Sequence, residues 1–201
     1  MQNRKSSLSV ADLCYISLFT ALIAVLAQIS IPLPGGVPLT LQTLAVPLAG
    51  IVLGPKRGTI SALLYVLLGA IGIPVFANFT GGLGIVLGVT GGFILSFPIM
   101  ALFAGYASTK SVKSPALWMW LILGALVNYA VGTVWCMFAA GLDLAGALAA
   151  CVIPFIPTAI VKIVLTGFFG TMLRKTLMKA NVLQAEGYSQ RSEPREDVQN
   201  A

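Results

Sequence analysis

The sequence contains no histidine and few charged residues. Asp, Glu, Lys and Arg together make up 9% of its 201 residues, whereas hydrophobic residues make up 58%. A soluble domain carries about 25% charged residues, so this chain has too little charge to cover a soluble surface. The lack of histidine removes the usual general base and the commonest metal ligand. These deficits indicate an integral membrane protein and exclude an ordinary soluble enzyme.

Cysteine is also scarce, and its spacing carries no metal-binding pattern. Cys14, Cys136 and Cys151 lie far apart in apolar segments without a CxxC pair, so we interpret each as a small buried hydrophobic residue. Nucleotide-binding loops and paired carboxylates are missing as well. We therefore predict a protein that is not an enzyme, has no catalytic residue, cofactor or metal site, and does not hydrolyse ATP itself.

The apolar residues form runs close to the length of about 20 residues that a membrane-spanning helix needs. The last run is too long for one span, and Pro154 and Pro157 interrupt it, so we divide it into a short outer segment at 144–153 and a spanning helix. The predicted fold class is an all-α integral membrane protein. Its six predicted spanning helices are 13–31, 39–53, 58–75, 83–106, 116–140 and 156–173.

The basic residues that flank the predicted spans all fall on one side of this arrangement. These nine are Arg4, Lys5, Lys56, Arg57, Lys110, Lys113, Arg174, Lys175 and Lys179. The loops on the other side hold a single charged residue, Asp143. The positive-inside rule therefore predicts a multi-pass protein of a bacterial-type cytoplasmic membrane with both termini in the cytoplasm. The net charge of +6 then reflects topology and lipid contact rather than nucleic-acid binding.

Three regions follow from this topology. We predict a cytoplasmic N-terminal segment at 1–12, a six-helix transmembrane domain at 13–175, and a cytoplasmic tail at 176–201 that we expect to be disordered. The first span is longer than the apolar core of a signal peptide and lacks a clear cleavage site. We therefore expect it to be retained.

Lys162 is the single charged residue inside a predicted span. It lies about six residues from the outer end of the last span, which corresponds to a depth of roughly 9 Å. A charge at membrane depth costs a few kcal/mol unless it meets water or a partner. Its side chain either extends outward to the headgroups or points at a buried solute, and we favour the solute. Among the outer loops, only Asp143 offers a carboxylate to pair with it.

Two outer loops are uncharged and rich in glycine and proline, at 31–38 and 73–82. Such loops either serve as plain turns or fold down as a lid over a site, because glycine permits close backbone approach and proline fixes the chain direction. The candidate lid residues of the first loop are Gly35, Gly36 and Pro38. Asn78 adds a polar side chain to the second loop.

Polar side chains also occur inside the spans. Gln42 and Thr43 lie in the second span and Tyr129 in the fifth, and each either faces a solute or ties neighbouring helices together. Gly91, near the start of the fourth span, permits close packing or exposes backbone groups to a ligand. Together with Lys162, these residues predict a small binding pocket that opens to the outside.

Four segments occur in a recognisable order along the chain. They are Val37-Pro-Leu-Thr-Leu-Gln-Thr-Leu-Ala-Val, Gly54-Pro-Lys-Arg-Gly, Leu68-Gly-Ala-Ile-Gly-Ile-Pro-Val-Phe-Ala and Gly88-Val-Thr-Gly-Gly-Phe. As a set they resemble the BioY family, the biotin-specific membrane subunits of energy-coupling factor (ECF) transporters, and the resemblance covers residues 10–175. It implies a six-helix protein that captures biotin near the outer face. It also implies two kinds of partner, a membrane coupling protein and a pair of cytoplasmic ATPases.

The resemblance also implies roles for individual residues. The substrate-binding residues that it suggests are Lys162, Asn78, Thr43, Gln42, Gly91 and Tyr129. The residues that it places on the face toward the coupling protein are Ser17, Ala21 and Ala24. The family pattern Pro-Phe-x-Pro-Gly-Asp-x-x-Lys begins here at Pro154. Its lysine matches Lys162, whereas its aspartate and glycine are replaced by Ala159 and Thr158.

Two alternatives for the function remain open at this point. The same architecture serves other vitamins, such as riboflavin or thiamine, and a chain of this kind can also be an autonomous vitamin facilitator. An ion-coupled carrier is disfavoured because no Asp or Glu lies at membrane depth.

Overall fold

The computed structural model describes residues 8–33, 35–180 and 182, and this part of the chain is mainly helical. In chain order the helices are α1 (Val10–Ala27), α2 (Gln42–Leu53), α3 (Pro55–Ala70), α4 (Leu83–Leu87), α5 (Gly91–Tyr106), α6 (Pro115–Ala140), α7 (Leu144–Cys151) and α8 (Ile156–Lys179). The predicted helical class is thereby confirmed. Short 3₁₀ turns lie at Ala77–Phe79, Ala107–Thr109 and Ile153–Phe155.

Helices long and apolar enough to cross a membrane number four within the described residues. They cover Val10–Ala27, Gly91–Thr109, Pro115–Ala140 and the nearly continuous run Leu144–Lys179. The apolar helix α2 has 12 residues, which at 1.5 Å each gives roughly 18 Å. A hydrocarbon core is about 30 Å thick, so α2 crosses only part of it alone. These lengths agree with a multi-pass membrane protein.

A small β-hairpin precedes α2, and the predicted all-α class did not include it. Strand β1 (Ser30–Ile31) pairs antiparallel with β2 (Leu39–Thr40). The predicted spans 13–31 and 39–53 were therefore too long at the hairpin, because each counted strand residues as helix. The chain reverses direction between the two strands, and the backbone groups at both ends of this Gly- and Pro-rich segment pair with each other in the hairpin.

The predicted fourth span is likewise interrupted in the structure. Helix α4 ends at Leu87 and α5 begins at Gly91. Between them the Gly88 carbonyl accepts a hydrogen bond from Trp135 Nε1 of α6 at 2.9 Å. The same carbonyl also accepts the Gly91 N–H at 3.0 Å, so the Trp135 bond ties α6 to a break whose backbone is already paired locally.

Helix α2 lies at the centre of the bundle, and most of its residues are buried. It contacts α1, α3, α5 and α8. Small residues permit this close packing. A Cβ atom added at Gly50 would lie 2.3 Å from the carbonyl oxygen of Ala101 on α5, so the two helix backbones touch there. The largest fully buried side chains include Tyr65, Phe76 and Phe97.

One end of the bundle is held together by basic side chains. Arg57 Nε lies 2.7 Å from Asp12 Oδ1, which joins the start of α3 to the start of α1. Arg174 Nη1 donates to the Val52 carbonyl at 2.6 Å, which joins the end of α8 to the end of α2. Four helix ends thus meet at the side where the sequence concentrates its basic residues.

The first and last helices extend beyond the predicted boundaries of the transmembrane domain. Helix α1 begins at Val10, inside the predicted N-terminal segment 1–12, with Ser9 as its N-cap. Helix α8 continues to Lys179, four residues into the segment 176–201 that we predicted as a tail. The rest of the predicted tail lies almost wholly outside the described residues.

Candidate functional site

A cavity of about 390 Å³ lies at the end of the bundle opposite Arg57 and Arg174. Its walls come from the β1–β2 hairpin, the 76–80 turn, the α4–α5 break, α6, the end of α7 and the start of α8. Small-molecule sites in proteins span about 300–1,000 Å³ and combine apolar walls with a few polar groups. The volume and the mixed lining therefore suit a small organic ligand.

Lys162 reaches this cavity from α8. Its Nζ donates to the Thr40 carbonyl at 2.7 Å and to Thr43 Oγ1 at 3.0 Å, and the residue is 8% exposed. An ammonium group has three donors, so one N–H remains after these two bonds. The side chain turns inward toward the start of α2, and the alternative in which it extends outward to headgroups was wrong.

Lys162 does not pair with Asp143. The Asp143 carboxylate caps α7 instead, where Oδ1 accepts the Gly146 backbone N–H at 2.9 Å. Among the described residues that line the cavity there is no Asp or Glu. Both hydrogen-bond acceptors of Lys162, the Thr40 carbonyl and Thr43 Oγ1, are neutral oxygens, so the described lining of the cavity holds a cation without a protein counter-charge.

Gln42 lies in the cavity wall, but its side-chain hydrogen bonds go to other protein groups. Its Oε1 accepts from Thr40 Oγ1 at 2.9 Å, and its Nε2 donates to the Tyr65 hydroxyl. The Tyr65 hydroxyl in turn donates to the Val75 carbonyl at 3.1 Å. These bonds support the interpretation that Gln42 links neighbouring segments of the chain. They also hold Thr40, the strand residue whose carbonyl binds Lys162.

Gln28 holds the second outer loop and was missed by sequence reasoning. Its Nε2 donates to the carbonyls of Val75 and Phe76 at 3.2 and 3.1 Å, and its Oε1 accepts the Phe79 N–H at 2.8 Å. Asn78 and Phe79 have φ angles of +58° and +54°, which is uncommon for non-glycine residues. The three bonds stabilise this tight turn. A polar residue at the end of an apolar span was the signal available in the sequence.

Asn78 and Tyr129 line the cavity as predicted, and Thr43 does so beside Lys162. Across the part of the chain that the structure describes, the Asn78 carboxamide makes no hydrogen bond, so it remains available to a ligand. The Tyr129 ring packs edge-on against Phe93, with centroids 6.3 Å apart. Asn78, Tyr129 and Thr43 are therefore placed where a ligand in the cavity would contact them.

Two of the predicted glycines have a packing role instead of a place in the lining. A Cβ at Gly91 would lie 1.8 Å from the Val86 carbonyl oxygen, so Gly91 permits the close α4–α5 turn. A Cβ at Gly35 would lie 2.9 Å from the Cβ of Ala150, so Gly35 packs the hairpin on α7. The other two lid candidates, Gly36 and Pro38, do line the cavity.

The predicted partner face lies on α1. Ser17 and Ala21 are exposed and lie on the helix face that points away from the bundle, whereas Ala24 is half-buried and packs against the core. Within the described ranges, no group of three His, Cys, Asp or Glu residues is placed to hold a metal ion.

Comparison with known proteins identifies the family. The family model described as BioY family matches residues 1–179. The chain is 46% identical over 151 residues to a probable biotin transporter BioY of Pyrococcus horikoshii, which covers 75% of this chain and 88% of that protein. It is 40% identical over 183 residues to the biotin transporter BioY2 of Lactococcus lactis, covering 90% of this chain and 97% of that protein.

A solved structure gives the same result at the level of the fold. The crystal structure of an S-component for biotin from an ECF-type ABC transporter matches with a TM-score of 0.74 and 31% sequence identity. The match covers 87% of this chain and 95% of that chain. On the family match, the curated relatives and the shared fold, this chain belongs to the BioY family.

Proposed function

We propose that this chain captures biotin from the outer face of the cytoplasmic membrane as the substrate-binding subunit of an ECF-type ABC importer. The observation that carries the proposal is Lys162, a buried cation with one remaining N–H in a mainly apolar cavity. The names of the relatives and of the structural neighbour support biotin as the ligand. Capture of this kind needs no cofactor or metal ion, and ATP hydrolysis takes place in partner subunits.

The cavity offers a matching group for each part of biotin. Biotin joins a polar ureido ring to an apolar thioether ring and chain and ends in a carboxylate. Phe76, Phe93 and Phe155 supply apolar walls. Lys162 donates its third N–H to an oxygen of the ligand, either the ureido carbonyl or the carboxylate. The Thr43 oxygen accepts from Lys162, so its own hydroxyl hydrogen is free to donate to the same ligand oxygen.

Because residue 159 is alanine, the ureido N–H groups need hydrogen-bond acceptors other than the aspartate of the family pattern. It borders a small cavity of about 10 Å³ beside Lys162, where the family pattern would place an aspartate. Asn128 also borders this space, and its Nδ2 donates to Phe93 and Ser96, which leaves its Oδ1 as an acceptor. The carbonyl oxygen of Asn78 is a second neutral acceptor. We infer that these amides replace the missing carboxylate.

We further propose six crossings of the membrane with both termini inside. The crossings are α1, α2 with β2, α3, α4 with α5, α6, and α8. The contacts of Arg57 and Arg174 gather basic residues at one end, and the cavity lies at the other. Cysteine-accessibility labelling of introduced sites at Lys113 and Thr80 tests this orientation. Labelling of Thr80→Cys only from outside and of Lys113→Cys only from inside supports it, and the reverse contradicts it.

The exposed side of α1 is the proposed contact with the coupling protein. Ser17 and Ala21 leave room for a close helix–helix approach. Replacing Ala21 with Trp is expected to abolish co-purification with a coupling protein and its ATPase pair while leaving biotin affinity unchanged, because Ala21 does not line the cavity. Loss of biotin binding in this variant would place α1 in the site instead.

Calorimetric titration of the purified protein with biotin, riboflavin and thiamine tests the substrate. Tight binding of biotin alone supports the proposal. Tight binding of riboflavin or thiamine without biotin would mean that Ala159 and Thr158 mark a change of specificity. Uptake of labelled biotin in cells with and without the ATPase partners then separates an ECF subunit from an autonomous facilitator.

A further inference from the structure

Two of the cysteines meet in the fold although they are separated in the sequence. Cys136 lies on α6 and Cys151 is the last residue of α7, and their Sγ atoms are 2.9 Å apart. Both residues are fully buried, whereas Cys14 is exposed on α1. The interpretation of each cysteine as a small buried residue is confirmed for Cys136 and Cys151 and is wrong for Cys14. Cys136 and Cys151 are in addition a pair.

The local chain geometry keeps this pair together. Gly141 ends α6 with a φ of +65°, and Asp143 caps the start of α7 through its bond to Gly146. These two features reverse the chain, so that α7 packs back along α6. A disulfide has an S–S bond of about 2.05 Å, so bonding requires the two sulfur atoms to move by less than about 1 Å.

We propose that Cys136 and Cys151 form a disulfide that fastens α7 to α6 behind the cavity. The oxidant is a small or protein disulfide, as in a thiol oxidoreductase or oxidised glutathione. One cysteine thiolate attacks a sulfur of the oxidant and releases one thiolate, forming a mixed disulfide. The second cysteine thiolate then displaces the other half of the oxidant. The pair loses two electrons and two protons, and the oxidant is reduced to two thiols.

The position of the pair favours oxidation and gives the bond a consequence. Cys151 lies in the wall of the cavity, which on the proposed orientation opens to the outer side of the membrane, and that side is an oxidising environment. Ala150, the neighbour of Cys151, is the residue on which Gly35 of the hairpin packs. Fixing α7 therefore fixes one cavity wall together with the support beneath the hairpin.

Counting free thiols tests the bond directly on the full chain. The protein is incubated with oxidised glutathione, denatured in SDS and labelled with a polyethylene-glycol maleimide that shifts its mobility once per thiol. We expect at most one adduct, at Cys14, before dithiothreitol and three adducts after it. Cys136→Ser and Cys151→Ser are the matched controls: a mixed disulfide on the remaining cysteine has no second thiol to resolve it, so their peptide masses should show a free thiol or bound glutathione and no cross-link. Cys14→Ser should carry none before reduction and two after it.

Two results would overturn the proposal. One is three adducts on the wild-type chain after oxidised glutathione, and the other is a mass that shows bound glutathione in place of a Cys136–Cys151 peptide cross-link. The restraint on α7 has its own measurement in hydrogen exchange of residues 144–151. Slower exchange in the oxidised wild type than in Cys136→Ser supports it, and equal exchange contradicts it. Neither measurement uses biotin, so failure here is separate from failure of the proposed function.

Discussion

Removing the cavity cation is the sharpest test of the site. Lys162→Met keeps most of the bulk and apolar length of the side chain but deletes all three N–H donors. Two of these donors bind Thr40 and Thr43, so the variant loses one bond to the ligand and two that shape the site. A hydrogen bond to a charged group contributes about 1.5–3 kcal/mol. At about 1.4 kcal/mol per factor of ten, biotin affinity should fall about 10- to 150-fold.

Calorimetric titration at one pH and one salt concentration measures this change. Lys175→Met is the matched control, because it makes the same substitution on the same helix at an exposed position outside the cavity. Its affinity should equal that of the wild type. Size-exclusion chromatography and thermal unfolding verify that both variants are folded. An unchanged dissociation constant in folded Lys162→Met would refute the role of the cation and leave the cavity to apolar recognition.

Three further changes probe the groups around the cation. Ala159→Asp should keep or tighten biotin binding in calorimetry, because it fills the small cavity and adds an acceptor near Lys162; a large loss would show a site adapted to alanine. Gln28→Leu removes three bonds from the loop and should raise the biotin dissociation rate, measured by ligand chase; an unchanged rate would mean that the loop does not gate the cavity. Tyr65→Phe deletes the hydroxyl that joins Gln42 to Val75 and should lower stability to unfolding by about 1–3 kcal/mol, with unaltered unfolding as the contrary result.

Most of the fold was predictable because the signal for a membrane helix is long and redundant. Runs of apolar residues and the one-sided basic residues placed six segments, and the structure has helices in each of them. The errors lie where a few residues decide the conformation. Nothing in an apolar run distinguishes Leu39–Thr40 as a strand, since the pairing depends on Ser30–Ile31 across the turn. The break after Leu87 is held against α6 by Trp135, which is 48 positions away.

The site divides in the same way. Lys162 was identifiable because one charge in an apolar helix has few explanations. Gly91 was not assignable, because glycine serves close packing and ligand access equally well, and only the position of the Val86 carbonyl decides between them. Cys136 and Cys151 look like isolated hydrophobic residues until the turn at Gly141 brings them together. A residue whose own chemistry indicates its role, such as Lys162, was predictable from the sequence. A residue whose role depends on which other residue lies beside it in the fold, such as Gly91 or Cys136, was not.

The charge of the cavity also separates the three vitamins. Among the described lining residues Lys162 carries the only formal charge, and neutral oxygens hold it in place. Biotin brings a negative carboxylate, riboflavin is neutral, and thiamine carries a permanent positive charge. Two like charges about 8 Å apart, at an effective dielectric constant of about 20, repel by about 2 kcal/mol. Thiamine is therefore disfavoured by about 30-fold relative to a neutral ligand of equal fit. In Lys162→Met this penalty disappears, so thiamine binding should strengthen as biotin binding weakens, and a parallel loss of both would show that the lysine acts by shape rather than by charge.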